Sequence, residues 1–329
     1  MLTSASEKLN NFYSRFTGKD NVLVLINADP DAIACAMAVK RLLWGKVSSV
    51  TISSINIIKR PDNLAMVRLL GVNLVHISQI DGGKYTSFVI VDSQPNHNEA
   101  FSKFQYNVII DHHPETNYEA EYKDIRPKYG ATASMLTEYL RAAKIKPSYK
   151  LATALYYAIK IDTSDFERKA VVEDIKAFQF LFRHANINIA RKIEQAELNL
   201  SFLKYFKHAL ETMKKRKGKI FVHAGQVVNP DICVLLADFF MKVSYIQWSI
   251  VSGIYNDVLV VILRNDGLRK NAGKVAKEAF GNLGSAGGHK SMARAEFPVS
   301  ALKDNIDLAN DEMVLKWIIT RIEKKPRKK

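Results

Sequence analysis

Unbroken apolar, β-branched runs at residues 22–27, 50–55, 87–91 and 106–110 alternate with stretches of helical composition at 32–44 and 61–70. A strand covered on both faces of a parallel sheet reads as a continuous hydrophobic run, not as an alternation of apolar and polar positions. Strand, helix, strand, helix predicts a mainly parallel sheet with right-handed crossovers and helices on both faces. From residue 131 the pattern turns helical, over 133–143, 148–161 and 171–184. Residues 187–217 are charged, free of proline and glycine, and end in Lys214-Lys215-Arg216-Lys217 ahead of Gly218. Glycine is a good helix stop, so this stretch predicts a connecting helix. A second alternation follows: strand 220–223, helix 230–243, then strands 249–255 and 258–263 joined by an Asn256-Asp257 hairpin turn. Helix 273–280, a glycine-rich loop at 281–289, strand 293–298 and helix 312–323 complete the chain. The expectation is an α/β protein: an N-terminal domain at 1–186, a connecting helix at 187–217, and a smaller α/β domain with a mixed sheet at 218–329.

Composition narrows this picture. Hydrophobic residues make up 47% of the 329 positions, enough for two cores. No run approaches the roughly 18 apolar residues of a membrane span, and the N-terminus lacks the apolar core of a signal peptide. Cys35 and Cys233 lie far apart inside apolar segments and read as buried thiols of a cytoplasmic protein, not as a disulfide. Of the net charge of +15, +11 falls from Ser201 onward, where 23 Lys and Arg face 12 Asp and Glu. That asymmetry suits a polyanionic partner such as nucleic acid, although the tail Lys324-Lys325-Pro326-Arg327-Lys328-Lys329 supplies part of it.

Chemistry gathers at the ends of the predicted elements. The run at 106–110 stops at Asp111-His112-His113; Asp29 and Asp31 follow the first strand, Asp92 the third, and Asp162 closes a helix. In an open α/β sheet the carboxyl ends of the strands line one crevice. So many carboxylates could share it in ionised form only with cations to neutralise them. Two divalent ions roughly 3.5–4 Å apart would do this and would activate a water for attack on phosphorus. Taken singly, each aspartate is equally well explained as a helix cap or turn residue. His76, His184, His208 and His223 lie in apolar or amphipathic contexts and read as structural or surface residues.

In the order Asp29-Pro30-Asp31-Ala32, Asp92, Asp111-His112-His113, Asp162 and Gly287-Gly288-His289, the chain resembles the DHH phosphoesterase superfamily. It is most similar to the two-domain branch of nanoRNases, phosphoadenosine-phosphate phosphatases and cyclic-dinucleotide phosphodiesterases. RecJ exonucleases and family II pyrophosphatases are more distant members. The resemblance implies manganese ligands at Asp29, Asp31, Asp92, His112 and Asp162, with Asp92 and Asp162 able to touch both ions; Mg2+ or Co2+ are the alternatives. It implies that Asp111 orients the site, that His113 faces the substrate phosphate, and that Arg264 with Gly287, Gly288 and His289 holds the phosphate or nucleotide. Glycines at such a loop let backbone N–H groups approach an anion.

One position departs from the family pattern. The histidine of its first motif falls at Leu25, which cannot ligate a metal, so one of two ions would be held more weakly. His97, in Ser93-Gln94-Pro95-Asn96-His97, lies near the third strand's end and is the candidate to reach in. The implied activity is metal-dependent hydrolysis of short oligonucleotides, dinucleotides or nucleoside bisphosphates, since no further nucleic-acid-binding domain is apparent. A RecJ-like single-strand exonuclease and a degenerate nucleotide-binding regulator are the alternatives. A homodimer is compatible with the sequence, and no membrane partner is expected.

Overall fold

A computed structural model describes residues 4–167, 170–195, 200–302, 306–307 and 310–323; the basic tail at 324–329 lies outside them. The chain divides into two units, Met1–Glu197 and Leu198–Lys329.

The first unit runs α1 (Ala5–Tyr13), β1 (Asn21–Ile26), α2 (Pro30–Leu42), β2 (Ser49–Ser54), α3 (Pro61–Leu70), β3 (Leu74–His76), β4 (Ser87–Val91), β5 (Val108–Asp111), β6 (Tyr122–Ile125), α4 (Thr132–Ala142), α5 (Tyr149–Asp162), α6 (Val172–Phe182) and α7 (Ile187–Glu194). Its six strands form one parallel sheet in the order β3-β2-β1-β4-β5-β6. The order reverses beside β1, and in such sheets the crevice at that switch point is where ligands bind. Alternate residues of β1 serve opposite faces. Val22, Val24 and Ile26 pack against α2, α4 and α5 in the main core. Leu23 and Leu25 turn to a second core with Ile90, Phe101, Tyr106 and Ile109. The helices of this unit bury their residues against the first face. The second face is covered by 3-10 turns at Ile77–Gln79, Pro95–His97 and Phe101–Lys103 in place of helices. Gly82-Gly83 and Pro95 interrupt those connections, and such residues favour turns over helix.

The second unit carries α8 (Leu203–Thr212), β7 (Lys214–Arg216), β8 (Lys219–Gln226), α9 (Asp231–Met241), β9 (Trp248–Tyr255), β10 (Val258–Asn265), α10 (Ala272–Phe280), β11 (Ser285–Gly288), β12 (Met292–Pro298) and α11 (Asp311–Glu323). The sheet order is β11-β12-β10-β9-β8-β7, with β8 and β9 parallel and the other pairs antiparallel. One face packs on α10 and α11, the other on α8 and α9. The β9–β10 hairpin turns at Asn256 and Asp257, both with positive φ, as its strands' twist requires.

Residues 187–217 are not one continuous helix. α7 ends at Glu194, α8 begins at Leu203, and Lys214–Arg216 pairs with Lys219–Phe221. Lys217 (φ 46°) and Gly218 (φ 74°) make a tight hairpin turn, so Gly218 reverses a strand and does not stop a helix. β7 is exposed along its whole length, and hydrophobic periodicity cannot reveal a strand without a buried face. Within β8, His223 is 1% exposed, and burial pulls its imidazole down to about 4. Among the described residues, no helix is long and apolar enough to cross a membrane.

Candidate metal centre

Asp29 is the N-cap of α2, its carboxylate accepting from the Ala32 amide at 2.9 Å, and Pro30 opens the helix. Both features suit a first turn with unsatisfied N–H groups and a fixed φ. Asp31, two residues on, is 2% exposed and reaches a different helix. The amides of Thr132 and Ala133, in the first turn of α4, donate to its two oxygens at 2.7 and 2.8 Å. A buried carboxylate at a helix N-terminus is thereby supplied with donors and a favourable dipole.

Asp92 directly follows β4 in a left-handed backbone conformation (φ 57°). Asp tolerates that region better than branched residues do, and the chain leaves the sheet there. The Thr132 hydroxyl donates to Asp92 Oδ1 at 2.8 Å. Thr132 therefore serves two carboxylates, Asp31 through its amide and Asp92 through its side chain. Burial, then the charges of neighbouring aspartates, raises Asp31 and Asp92 above the usual carboxylate range. Asp29, at the exposed rim of the group, is pushed up to about 6, by desolvation of its carboxylate first and then by Asp162. These groups are uncomfortable as a bare cluster of anions.

His112 shows what would relieve them. Its Nδ1 lies 3.1 Å from the Tyr129 carbonyl, which can only accept, so Nδ1 carries the proton. In the neutral ring Nε2 then presents a lone pair, 3.2 Å from Asp162 Oδ2 and 3.6 Å from Asp92 Oδ1. A lone pair facing two carboxylates calls for a cation between them. A backbone carbonyl on the far nitrogen is the usual orienting partner of a metal-bound histidine. The donor atoms of Asp31, His112 and Asp162 lie within 4.8 Å of one another, as do those of Asp92, His112 and His113. The residues present therefore fit one or more divalent ions.

Behind this group, Asp111 ends β5 fully buried. His113 Nδ1 stands 2.8 Å from Asp111 Oδ1, and Gln94 Nε2 donates to Oδ2 at 2.7 Å. Burial would raise Asp111, but the hydrogen bonds from His113 and Gln94 outweigh it and bring it below the usual range. The same bond raises His113, which remains 46% exposed. Gln94 is itself held, its Oε1 accepting from the Thr116 amide and hydroxyl at 2.7 and 2.8 Å. His97 stands with Asp111 and His113 in a third group of donors, edge-on to the His113 ring. The Gln94 amide lies 3.2 Å from His97 Nδ1 and donates to it, which occupies that lone pair and leaves the proton on Nε2. As placed, His97 is a donor and does not replace the missing first-motif ligand. Leu25 is fully buried in the apolar core of the second sheet face.

The structure thus brings Asp31, Asp92, His112 and Asp162 together, with Asp111 and His113 beside them, while Asp29 falls in none of the compact donor groups. Sequence reasoning missed the dual role of Thr132, the clamp of Gln94 and the Tyr129 carbonyl.

The expected substrate-binding residues lie in the second unit. Arg264, on β10, donates through Nε to Asp238 at 2.7 Å. Gly287 and Gly288 are not in an open loop; they pair with Arg294 and Ala293 in β11. The lack of a side chain serves close packing at Gly288, whereas a Cβ on Gly287 would meet open space. A Cβ on Gly273 of α10 would meet the Gly288 carbonyl oxygen at 2.2 Å, and Gly288 itself has φ 146°. His289, just beyond the strand, is exposed.

Residues 21–159 match the DHH family, N-terminal domain. Over that stretch the chain is similar to the DHH family. Members of this family are metal-dependent hydrolases of phosphoester bonds. An uncharacterized protein of Methanocaldococcus jannaschii, MJ1633, is 35% identical over 285 residues, which is 86% of this chain and 58% of that relative. The chain thus spans little more than half of that relative's length. Among solved structures, an exopolyphosphatase-related protein from Bacteroides fragilis matches with a TM-score of 0.74 at 14% identity, over 98% of this chain and 97% of that one. Exonuclease RecJ bound to manganese matches with a TM-score of 0.50 at 11% identity, over 98% and 94%. These likenesses are of fold.

Proposed function

We propose that this chain is a metal-dependent phosphoesterase acting on short oligonucleotides, dinucleotides or nucleoside bisphosphates. The observation that carries the reading is His112, whose Nδ1 is held by the Tyr129 carbonyl while Nε2 is aimed at Asp92 and Asp162 inside a group of raised carboxylates. Asp29, Asp31, Asp92, His112 and Asp162 would hold Mn2+, with Mg2+ or Co2+ as alternatives, and Leu25 in place of a histidine would leave one of two ions more weakly held. Such ions supply charge neutralisation of the phosphate and a water acidified for attack on phosphorus.

The chain's own residues would do the rest. Asp111, clamped by Gln94, keeps a proton on His113 Nδ1 and favours the charged form of the ring at the exposed edge of the site, where it would face a phosphate oxygen. Thr132 and the first turn of α4 hold Asp31 and Asp92 against mutual repulsion. In the second unit, Arg264 and the Gly287-Gly288-His289 segment would bind the nucleotide, Arg264 exchanging its exposed partner Asp238 for phosphate. The positive excess of that unit's sequence favours a polyanionic substrate. Two buried free thiols, Cys35 and Cys233, suit a reducing cytoplasm.

The test is hydrolysis, with Mn2+, of a dinucleotide, a nucleoside 3′,5′-bisphosphate, a cyclic dinucleotide and a labelled single-stranded oligonucleotide. Turnover of the small substrates, lost in Asp92→Ala and His112→Ala, is expected. Preference for the long strand would favour the exonuclease. Binding of all four without turnover would overturn the enzyme in favour of a nucleotide-binding regulator, for which Leu25 is the specific support.

A further inference from the structure

The second unit holds a polar cluster that the phosphoesterase reading does not use. His223 on β8 and His208 on α8 both face Asp311, the first residue of α11. His223 Nε2 is 3.7 Å from Asp311 Oδ1, and His208 Nε2 is 3.5 Å from Asp311 Oδ2. Both nitrogens are cut off from solvent, and neither makes a hydrogen bond.

The proton on His223 can be located. Its Nδ1 is 2.8 Å from Ser252 Oγ, and the Ser252 hydroxyl donates its one proton to the Val222 carbonyl. Ser252 Oγ must therefore accept, so Nδ1 carries the hydrogen and Nε2 presents a lone pair to the Asp311 carboxylate. A lone pair on a buried imidazole set against a carboxylate is unfavourable unless a cation lies between them. As at His112, an outer hydrogen bond fixes the tautomer and aims the inner nitrogen, although here the three donor atoms do not all lie within 4.8 Å of one another.

The backbone is shaped for the approach. β7 pairs only with Lys219–Phe221, so it does not pair with the edge of β8 at His223. A register shift between His223 and Gln226 breaks the pairing with β9, and such irregularities re-aim side chains. Gly225, at φ 64°, lies against Asp311; a Cβ there would stand 3.2 Å from Oδ2.

We propose that His208, His223 and Asp311 form a second metal site, for a borderline divalent cation of the Zn2+ class, that fastens α8 and α11 to β8. Two imidazoles and one carboxylate suit Zn2+ or Co2+ better than Mg2+ or Ca2+, and three protein ligands leave a fourth position for water. Ligation at about 2.0–2.2 Å requires the three groups to draw inward. His223 is fixed by Ser252, whereas His208 and Asp311 are partly exposed and free to close on the ion. The site is independent of the phosphoesterase reading.

The experiment is Co2+ binding to the full, untagged chain, followed by calorimetry and by the visible spectrum of the bound ion. In an Asp92→Ala/His112→Ala background, which removes ligands of the first unit, about one Co2+ per chain should remain, with the intense visible bands of four- or five-coordinate cobalt. Adding His208→Gln or Asp311→Asn should abolish it, and Ser252→Ala should weaken it by roughly 10- to 100-fold, the usual cost of losing an orienting partner. Should the double variant fail to fold, the same substitutions in the wild-type chain must lower total bound Co2+ by one per chain. Unchanged stoichiometry in folded His208→Gln and Asp311→Asn chains would overturn the site, whatever the outcome for phosphoester hydrolysis.

Discussion

Thr132→Val isolates one contribution to the metal centre. Valine keeps the shape of threonine and leaves the backbone amide on Asp31, so only the hydroxyl bond to Asp92 Oδ1, at 2.8 Å, is lost. A hydrogen bond to a charged group contributes about 1.5–3 kcal/mol when its acceptor is buried. Asp92 is 8% exposed, so water cannot readily replace the donor. At about 1.4 kcal/mol per tenfold, the loss corresponds to roughly 10- to 100-fold in Mn2+ affinity. That range agrees with the usual effect of removing a group that orients a metal ligand. The assay is calorimetric titration of Mn2+ into wild type and variant near neutral pH, with near-UV circular dichroism to verify the fold. Thr137→Val is the control: its hydroxyl bonds the Ala133 carbonyl within the same helix, and its loss should leave affinity unchanged. A folded Thr132→Val chain whose Mn2+ Kd stays within about twofold of wild type would refute Thr132 as the orienting group.

Leu25→His should lower stability by about 2–4 kcal/mol in urea unfolding, because it places an imidazole in a fully buried apolar core; a second tight Mn2+ site in the same variant would restore the family's lost ligand. Asp29 at about 6, with Asp31 and Asp92 raised alongside it, means that protons compete with the ion. Mn2+ affinity should therefore rise as pH climbs through about 6, with protons released on binding, and stability of the metal-free chain should fall over the same interval; pH-independent binding would contradict this. His113→Gln should raise KM by about tenfold or more with metal stoichiometry intact, read by steady-state kinetics and calorimetry, since it removes an imidazole whose charged form Asp111 favours at the exposed rim. Gly288→Ala should destabilise the chain by more than about 1 kcal/mol in thermal unfolding, because its backbone is at φ 146° and the new methyl would meet the Met292 carbonyl oxygen at 2.4 Å.

Much of the fold is legible along the chain because buried parallel strands leave long apolar runs. β1, β2, β4 and β5 stand where those runs predict them, and the β9–β10 turn is announced by Asn256-Asp257. The chemistry at their ends is legible for the same reason: a parallel sheet delivers every strand's carboxyl end to one crevice. What escaped lacked a local signal. β7 is a charged edge strand, and β6 is a short one, so neither has a periodicity to read. The glycines at 287 and 288 look like a flexible loop until the tertiary structure pairs them in β11 and sets Gly273 of α10 against Gly288. The carboxylates and imidazoles of the site can be named from the sequence alone, but their protonation cannot. Thr132 reaches Asp92 across 40 positions and Gln94 reaches Asp111 across 17. The Tyr129 carbonyl fixes the tautomer of His112, and Ser252 fixes that of His223 across 29 positions. A histidine's residue type says only that one nitrogen can hold a metal. Which nitrogen is free, and what it faces, depends on a hydrogen bond from a distant segment, and that exists only once the chain has folded.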